Sequence, residues 1–479
     1  MLFRLRRNSF FRIYGNIAYI VNRLFGIDRI VDASGGVFLQ ALSKKEQSID
    51  EICKTIIKSF KDVDIDILKH DAMEFYLMLA EDGFLLSGET VAELESKDII
   101  FSYSRPVEKP NVSKTSLSQY EVPSTQKFLL EYCKNDPCLI QVQIEITNKC
   151  NERCIHCYIP HNDKTTDIDD TVYYNILTQC HELGVLNITL SGGEPLLHPH
   201  FPNFLRKTQD YDFLVTVLTN LTILNDKIIS AFKQAPLDSV QVTLFSLDSA
   251  IHDSITALPG SFEKTYNNIL RLIEEDIPLE ISCPIMKQNK DSFWSVVQWG
   301  KEKGIYVLVE PNLIARYDRT TDNLDNCLSL EEIKQILSDY INTDYDYQQM
   351  MLSREFDNLN LIDSESNVCS VCVTGLSVNP VGNVYPCTAW AYNLGSINNM
   401  SLRKIWETSS KTLYLRNIRM KDFPECMNCP DIKFCNLCMA QNANENPNGN
   451  LFLINEHRCQ IAKFNHKIVK DWKAIHSQN

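Results

Sequence analysis

The chain has 479 residues, of which 44% are hydrophobic and 23% charged, proportions typical of a folded globular protein and too apolar for disorder throughout. Its 47 lysines and arginines against 61 aspartates and glutamates give a net charge of -14. This balance argues against a nucleic-acid partner, because affinity for the phosphate backbone comes mainly from lysine and arginine. The length predicts about three domains, or one barrel with two appendages.

The N-terminal segment MLFRLRRNSFFRIYGNIAYIVNRLF mixes basic and apolar residues, but Arg12 interrupts its apolar stretch and no small-residue cleavage site follows. No apolar run reaches the roughly 20 residues of a membrane span. We therefore expect a cytoplasmic protein without a membrane partner. Its 17 cysteines indicate metal or cluster ligation rather than a disulfide framework, because the cytosol keeps thiols reduced.

Residues 1–96 are predicted to form a small winged-helix unit with a first strand, three helices and a closing strand. These segments are Phe11–Val21, Gly36–Leu42, Ile49–Phe60, Ile65–Glu81 and Gly83–Leu86. The progression DASGGVFLQAL, SIDEIC and DGFLLSG resembles the PqqD-like domains. The resemblance implies binding of the leader of a precursor peptide. A generic winged helix that packs or binds DNA is the alternative.

Residues 97–137 contain four prolines and are predicted to be a linker with one short helix at Ser124–Cys133. From 138 to 312, β-rich segments alternate with helical ones. Six such repeats require a parallel sheet, and their length fits an α/β fold, a partial (β/α)6 TIM-type barrel. The predicted strands are Ile140–Ile146, Asn187–Ser191, Leu214–Asn220, Ser239–Ser246, Leu279–Ile285 and Tyr306–Glu310. The predicted helices are Asp169–Leu183, Phe201–Gln209, Asp226–Gln234, Ser261–Glu275 and Ser292–Lys303.

Candidate reactive residues follow the first four predicted barrel strands, and in parallel barrels the loops after the strands meet at one mouth. In chain order they are Cys150, Cys154 and Cys157; Gly192, Gly193 and Glu194; Asn220; and Ser246 and Asp248. The C-x3-C-x2-C spacing puts three thiolates around one cubane and leaves one iron open. A zinc knuckle with His156 as fourth ligand is the alternative, but it would not predict Gly-Gly-Glu-Pro one βα unit later.

These motifs together resemble the radical SAM (S-adenosylmethionine) superfamily over residues 138–312. The resemblance implies that the three cysteines hold a 4Fe–4S cluster whose open iron binds the methionine part of SAM. Gly192 and Gly193 would let the backbone approach, Glu194 would accept from the ammonium group, and Ser246 and Asp248 would bind the ribose. Asn220 is a further expected SAM contact. Cleavage of SAM then yields a 5'-deoxyadenosyl radical.

A second block of eight cysteines fits two four-ligand sites, holding either zinc or 4Fe–4S clusters. They are Cys369, Cys372, Cys387, Cys426, Cys429, Cys435, Cys438 and Cys459. The block resembles the SPASM extension of radical SAM peptide-modifying enzymes, but with two rather than three residues between Cys435 and Cys438. By that resemblance, one auxiliary cluster takes Cys369, Cys372, Cys387 and Cys438, and the other takes Cys426, Cys429, Cys435 and Cys459.

The predicted SPASM domain spans 369–465, between a bridging helical region at 313–368 and a tail at 466–479. Four other residues have open roles. Tyr158 either stacks near adenine or is a packed aromatic. Cys283 shares strand parity with Ile281 and Ile285, which favours a core thiol over a hydrogen-atom donor. Glu310 and Arg316 either contact substrate or SAM, or serve in a helix cap or a surface ion pair.

Together these resemblances predict a maturase that crosslinks a ribosomally made peptide, through a carbon–carbon or a thioether bond. Its expected partners are a precursor peptide with a leader and an electron donor of the flavodoxin or ferredoxin type. The alternatives are a peptide epimerase, a formylglycine-forming enzyme like the anaerobic sulfatase maturases, and a non-catalytic peptide-binding scaffold.

Overall fold

The structure, a computed structural model, describes residues 1–60, 63–103, 125–356 and 363–476. Most of the predicted linker, residues 104–124, lies outside this part of the chain. The short helix predicted within the linker is α5, Thr125–Asn135. Among the described residues, no helix is both long and apolar enough to cross a membrane.

The N-terminal unit contains two three-stranded antiparallel sheets and four helices. Its strands are β1 Leu2–Leu5, β2 Ser9–Tyr14, β3 Ile17–Asn22, β4 Ile27–Asp32, β5 Gln47–Ser48 and β6 Leu85–Gly88. Its helices are α1 Ala33–Gln40, α2 Ile49–Ile56, α3 Ile65–Glu81 and α4 Val91–Lys97. The single strand predicted over Phe11–Val21 is wrong, because the chain reverses at Gly15-Asn16, where Gly15 has a φ of 54°. A Gly-Asn pair between two β-rich runs is a hairpin signal.

The barrel is confirmed as six parallel strands in the spatial order β12-β11-β10-β9-β8-β7. They are β7 Gln141–Thr147, β8 Asn187–Gly192, β9 Leu214–Thr219, β10 Ser239–Thr243, β11 Leu279–Pro284 and β12 Val307–Glu310. The helices are α6 Asp170–Glu182, α7 Phe201–Asp210, α8 Asp226–Phe232, α9 Ser249–Thr256, α10 Ser261–Glu274 and α11 Phe293–Lys303. Of these, α9 was not predicted.

The side chains of β7 point alternately into the hydrophobic core and toward the inner face of the sheet. Val142, Ile144 and Ile146 are at most 1% exposed and pack in the main hydrophobic core with residues of the barrel helices. Gln143 and Glu145 point to the opposite face, because successive side chains of a strand alternate. That face is polar, and Gln143 donates a hydrogen bond to Ser191 on β8.

The C-terminal part continues the barrel sheet. Its strands are β13 Gly375–Val378, β14 Asn383–Tyr385 and β15 Gly395–Ser396, and β13 pairs in parallel with β7 to give one nine-stranded sheet. The helices are α12 Leu330–Thr343, α13 Tyr345–Phe356, α14 Leu402–Thr408, α15 Ser410–Arg416, α16 Pro424–Met427, α17 Met439–Asn444 and α18 Glu456–His476. Because α18 runs without a break through the predicted boundary at 465, residues 466–476 are helix rather than a separate tail.

The N-terminal unit packs on the barrel through two buried arginine side chains, Arg12 on β2 and Arg23 directly after β3. Arg12 donates to the carbonyl oxygens of Val185 at 2.9 Å and of Tyr211 at 3.3 Å. Arg23 donates to the carbonyl of Phe213 at 3.2 Å and pairs with Asp212. These donors satisfy barrel carbonyls near the N-terminal ends of β8 and β9, at the opposite end of the sheet from the candidate site residues.

Candidate active site

The three cysteines of the C-x3-C-x2-C motif lie on the loop between β7 and α6, which we call the cluster loop (residues 148–169). Side chains of the segment after β12 donate hydrogen bonds to the backbone of this loop. Arg316 donates to the carbonyl of Cys157 at 2.8 Å, Asn323 to that of His156 at 3.2 Å, and Asn326 to that of Ile155 at 3.3 Å. The two asparagines were missed because their spacing carries no motif. Arg316 also pairs with Asp322 at 2.8 Å, as the ion-pair alternative predicted.

The thiols of the cluster loop are partly buried, and that of Cys154 contacts the buried carboxylate of Glu152. Burial raises the pKa of Cys150 to about 11 and raises that of Cys154 well above its usual value. The Cys154 thiol donates to Oε2 of Glu152 at 3.2 Å, while Oε1 of Glu152 has no partner among the described residues. Three thiols on one loop are a donor set that fits a 4Fe–4S cluster with one open iron.

Gly192 and Gly193 lie where the strand end of β8 meets the cluster loop. A Cβ at Gly192, whose φ is 139°, would lie 1.9 Å from the carbonyl oxygen of Thr147. A Cβ at Gly193 would lie 2.3 Å from the carbonyl oxygen of Lys149. The backbone N–H groups of Gly193 and Glu194 donate to these carbonyls at 2.8 and 2.9 Å. The close approach that these glycines permit in the structure is therefore to the loop that carries Cys150.

Glu194 is fully buried and accepts three hydrogen bonds. They come from the backbone N–H of Leu196 at 2.9 Å, the hydroxyl of Thr219 at 2.7 Å and the backbone N–H of Asn220 at 2.7 Å. Burial raises the pKa of Glu194 to about 7, and the three donors oppose that rise. The donors fix the direction of the carboxylate at the mouth.

Asn220 connects the loop after β9 to the cluster loop. Its Nδ2 donates to Oδ1 of Asn151 at 3.1 Å and lies 3.9 Å from the sulfur of Cys150. Its Oδ1 accepts from Thr222, which fixes the orientation of the amide. The structure thus brings Cys150, Glu194 and Asn220 together, as the barrel prediction requires.

Ser246 and Asp248 reach the cluster loop indirectly. Ser246 is buried; its hydroxyl donates to Ser292 at 2.9 Å and accepts from the backbone N–H of Asp248 at 3.0 Å. Asp248 is exposed and caps α9 by accepting from Ala250 at 2.8 Å. The C-terminal end of α9 in turn accepts from the backbone N–H groups of Arg153 and Ile155. This unpredicted helix therefore holds the backbone on both sides of Cys154, the second cysteine of the motif.

The remaining candidates make local contacts or are packed in the interior. The side chain of Tyr158 interacts with those of Glu145 and Thr388, which matches the packed-aromatic alternative rather than adenine stacking. Cys283 is fully buried in the main core. Glu310 is exposed and accepts from Asn312, two residues further on.

The eight late cysteines form two groups. Burial raises the pKa of Cys387 to about 12, and the nearby thiols of Cys438, Cys369 and Cys372 raise it further. Burial likewise raises the pKa of Cys435 to about 11, together with Cys459, Cys426 and Cys429. Within the part of the chain that the structure describes, no three His, Cys, Asp or Glu side chains form a group that could hold a metal ion.

Two parts of the chain match known families. Residues 144–300 match the radical SAM superfamily, and this match coincides with the barrel and its cysteine motif. This part of the chain is therefore a radical SAM domain. Residues 369–430 match the SPASM iron–sulfur cluster-binding domain, so the enzyme carries a SPASM domain on its barrel. Its cofactors are SAM and 4Fe–4S clusters.

Known relatives are distant in sequence. The AdoMet-dependent heme synthase of Methanosarcina barkeri is 24% identical over 62% of this chain and 90% of its own. The antilisterial bacteriocin subtilosin biosynthesis protein AlbA of Bacillus subtilis is 24% identical over 65% of this chain and 69% of its own. The structure of Streptococcus suis SuiB bound to precursor peptide SuiA is 16% identical, with a TM-score of 0.62 over 95% of this chain and 99% of that one. The last likeness concerns the fold alone.

Proposed function

We propose that this enzyme uses SAM to modify a ribosomally made precursor peptide, forming a carbon–carbon or thioether crosslink. The observation that carries the proposal is a small β-rich unit held against the barrel, together with a SPASM domain built into the barrel sheet. AlbA takes part in the biosynthesis of the bacteriocin subtilosin, and SuiB has been crystallised with a precursor peptide, which supports the same assignment.

In the proposed reaction, Cys150, Cys154 and Cys157 hold the cluster that binds SAM. When bound, that cluster supplies the electron that splits SAM into methionine and a 5'-deoxyadenosyl radical. Glu194 binds the ammonium group of SAM with its carboxylate already oriented by three donors, and Gly192 and Gly193 keep the cluster loop close. Asn220, Ser246 and Asp248 complete the SAM-binding mouth.

Two auxiliary clusters would be held by the two cysteine groups described above, the first through Cys369, Cys372, Cys387 and Cys438, and the second through Cys426, Cys429, Cys435 and Cys459. They would take the second electron from the substrate, and a flavodoxin or ferredoxin would supply the first. With all four ligands of each cluster provided by the protein, no iron is free for a substrate cysteine, which favours a carbon–carbon crosslink over a thioether.

The leader would bind to the N-terminal unit. Its strand β4 pairs with β3 and with no other described strand, so it offers an edge to which a peptide can add a strand. Residues 1–96 would then act as a PqqD-like domain.

Coexpression with the short peptides encoded beside the gene tests the function. A crosslinked peptide loses two hydrogen atoms, and a thioether also removes one alkylatable thiol. An unchanged mass with solvent deuterium incorporated would identify an epimerase instead, and conversion of Cys or Ser to formylglycine a sulfatase-maturase-like activity. Release of 5'-deoxyadenosine should require Cys150, Cys154 and Cys157; a Cys-to-Ala triple variant that still releases it would refute the assignment of the cluster.

A further inference from the structure

A cavity of about 330 Å³ lies where the barrel meets the SPASM domain. Its wall combines the inner face of β7, the end of the cluster loop, and the residues around β14. The side chains that matter here are Glu145, Asp163, Tyr317, Tyr385 and Trp390. The lining also includes Ile159, two residues after Cys157, and Thr388, which directly follows Cys387.

Glu145 is the unusual member of this wall. It lies on the inner face of β7, and its Oε1 is shielded from solvent without a hydrogen-bond partner among the described residues. Its carboxylate interacts with the hydroxyl of Tyr158, which itself interacts with Thr388 of the SPASM domain. A buried carboxylate oxygen with no donor is costly, so a ligand that brings a donor would be favoured at this position.

The charge of the wall indicates which donor fits. Glu145 and Asp163 are its two carboxylates, and none of the described lining residues is a lysine, arginine or histidine. Asp163 already accepts from the hydroxyl of Tyr317 at 2.7 Å, whereas Glu145 has an oxygen to spare. The rings of Tyr317, Tyr385 and Trp390 add aromatic surface, which attracts a cation through its negative face.

We propose that this cavity binds a cationic side chain of the peptide substrate, lysine or arginine, with the carboxylate of Glu145 as its ionic partner. The assignment rests on the proposed function and adds a subsite to it. A side chain held there would contact residues that neighbour Cys157 and Cys387 in the chain. It would fix which part of the core peptide faces the radical.

The subsite should bind a cation more strongly as the pH rises. Burial raises the pKa of Glu145 to about 7, so the group becomes a full carboxylate only above neutral pH. The phenols that face it, Tyr158, Tyr317 and Tyr385, have pKa values raised by burial and stay neutral there. Asp163 is the only other charged group among the described residues of the wall. Lysine and arginine stay protonated through this range.

Equilibrium dialysis of the cluster-loaded enzyme with SAM tests the proposal. The probes are the acetylated tripeptide amides Ala-Xaa-Ala, in which Xaa is lysine, arginine, norleucine or glutamine, quantified together by mass spectrometry. At about pH 8, the lysine or arginine probe should bind about fivefold more tightly than norleucine, and at about pH 6 this preference should shrink severalfold. The comparison of the two pH values uses the wild-type protein alone, so this test remains valid even if the substitutions impair folding.

Two variants localise the effect. Glu145→Gln should remove the cationic preference, whereas Glu280→Gln should keep it, because Glu280 lies on β11 of the same sheet, accepts from Gln241 at 2.9 Å and does not line the cavity. No preference in the wild type, or an undiminished preference in Glu145→Gln, would overturn the assignment. Dialysis measures binding without turnover, so these results are separate from a failure of coexpression to modify any peptide.

Discussion

The carboxylate of Glu194 accepts a hydrogen bond from the backbone N–H of Asn220 at 2.7 Å. These residues follow neighbouring parallel strands, β8 and β9, so the contact joins two of the loops around the mouth of the barrel. The side chain of Asn220 continues to Asn151 in the cluster loop. We therefore expect a change at Glu194 to affect the cluster loop as well as the SAM contact proposed for this residue.

Replacing Glu194 by glutamine should weaken SAM binding about tenfold or more, because a charged hydrogen bond to the ammonium is lost and the amide nitrogen faces a buried N–H donor. Equilibrium dialysis of SAM against the cluster-loaded variant measures this. The control is Glu263→Gln on the exposed face of α10, which should bind SAM normally. Equal affinity in the two variants would remove Glu194 from the SAM site.

Gly193→Ala should destabilise the protein by about 3 kcal/mol or more, because the new Cβ would meet backbone atoms that have no room to move. The atom in its way is the carbonyl oxygen of Lys149, 2.3 Å from the ideal Cβ position. The thermal unfolding temperature and the amount of iron that the protein retains should both fall. Gly36→Ala in α1 is the matched control: its Cβ would come no closer than 3.5 Å to a neighbour, and we expect unchanged iron content.

Loaded enzyme should contain about twelve irons if all three sites hold 4Fe–4S clusters, and about four if the two late sites hold zinc. Cys369→Ser with Cys387→Ser should remove about four irons, and Cys426→Ser with Cys459→Ser another four. The control Cys327→Ser should lose none. Iron and zinc analysis checks each variant, and a loss of all late iron from either pair would contradict two independent clusters.

His252 should make the protein less stable in acid. Burial lowers its pKa from 6.5 to about 4, so the folded state holds it neutral while the unfolded state takes up a proton below pH 6.5. Its contribution is fully present above pH 6.5 and is lost as the pH falls, by up to about 3 kcal/mol. His252→Leu should therefore lose less stability than the wild type between about pH 7 and about pH 5, measured by thermal unfolding. The variant His70→Gln, on the exposed surface of α3, should behave as the wild type does.

The sequence was most informative where local pattern and chemistry coincide. Each barrel strand was predicted to within a few residues, because β-rich runs between helical segments repeat six times. The Gly15-Asn16 turn was missed although its residues signal a hairpin. Helix α9 was missed because Asp248 was interpreted as a ligand, while its position before an apolar-periodic segment is also that of a helix cap.

Other features could not be read from local pattern at all. The pairing of β13 with β7 joins residues more than two hundred positions apart, such as Gln141 and Gly375. The anchoring of the cluster loop by Asn323 and Asn326 depends on side chains that only the folded chain brings there. The cavity around Glu145 likewise needs both the barrel and the SPASM strands, so no single segment encodes it.

The pairing of β13 with β7 has a consequence for the barrel as a separate object. If the chain were cut before the SPASM domain, β7 would become a border strand with a row of backbone donors and acceptors open to solvent. Such a border recruits strands from other molecules. A shortened barrel should therefore self-associate in addition to being inactive. In the full chain, the SPASM domain covers the edge of β7, the strand that leads to Cys150.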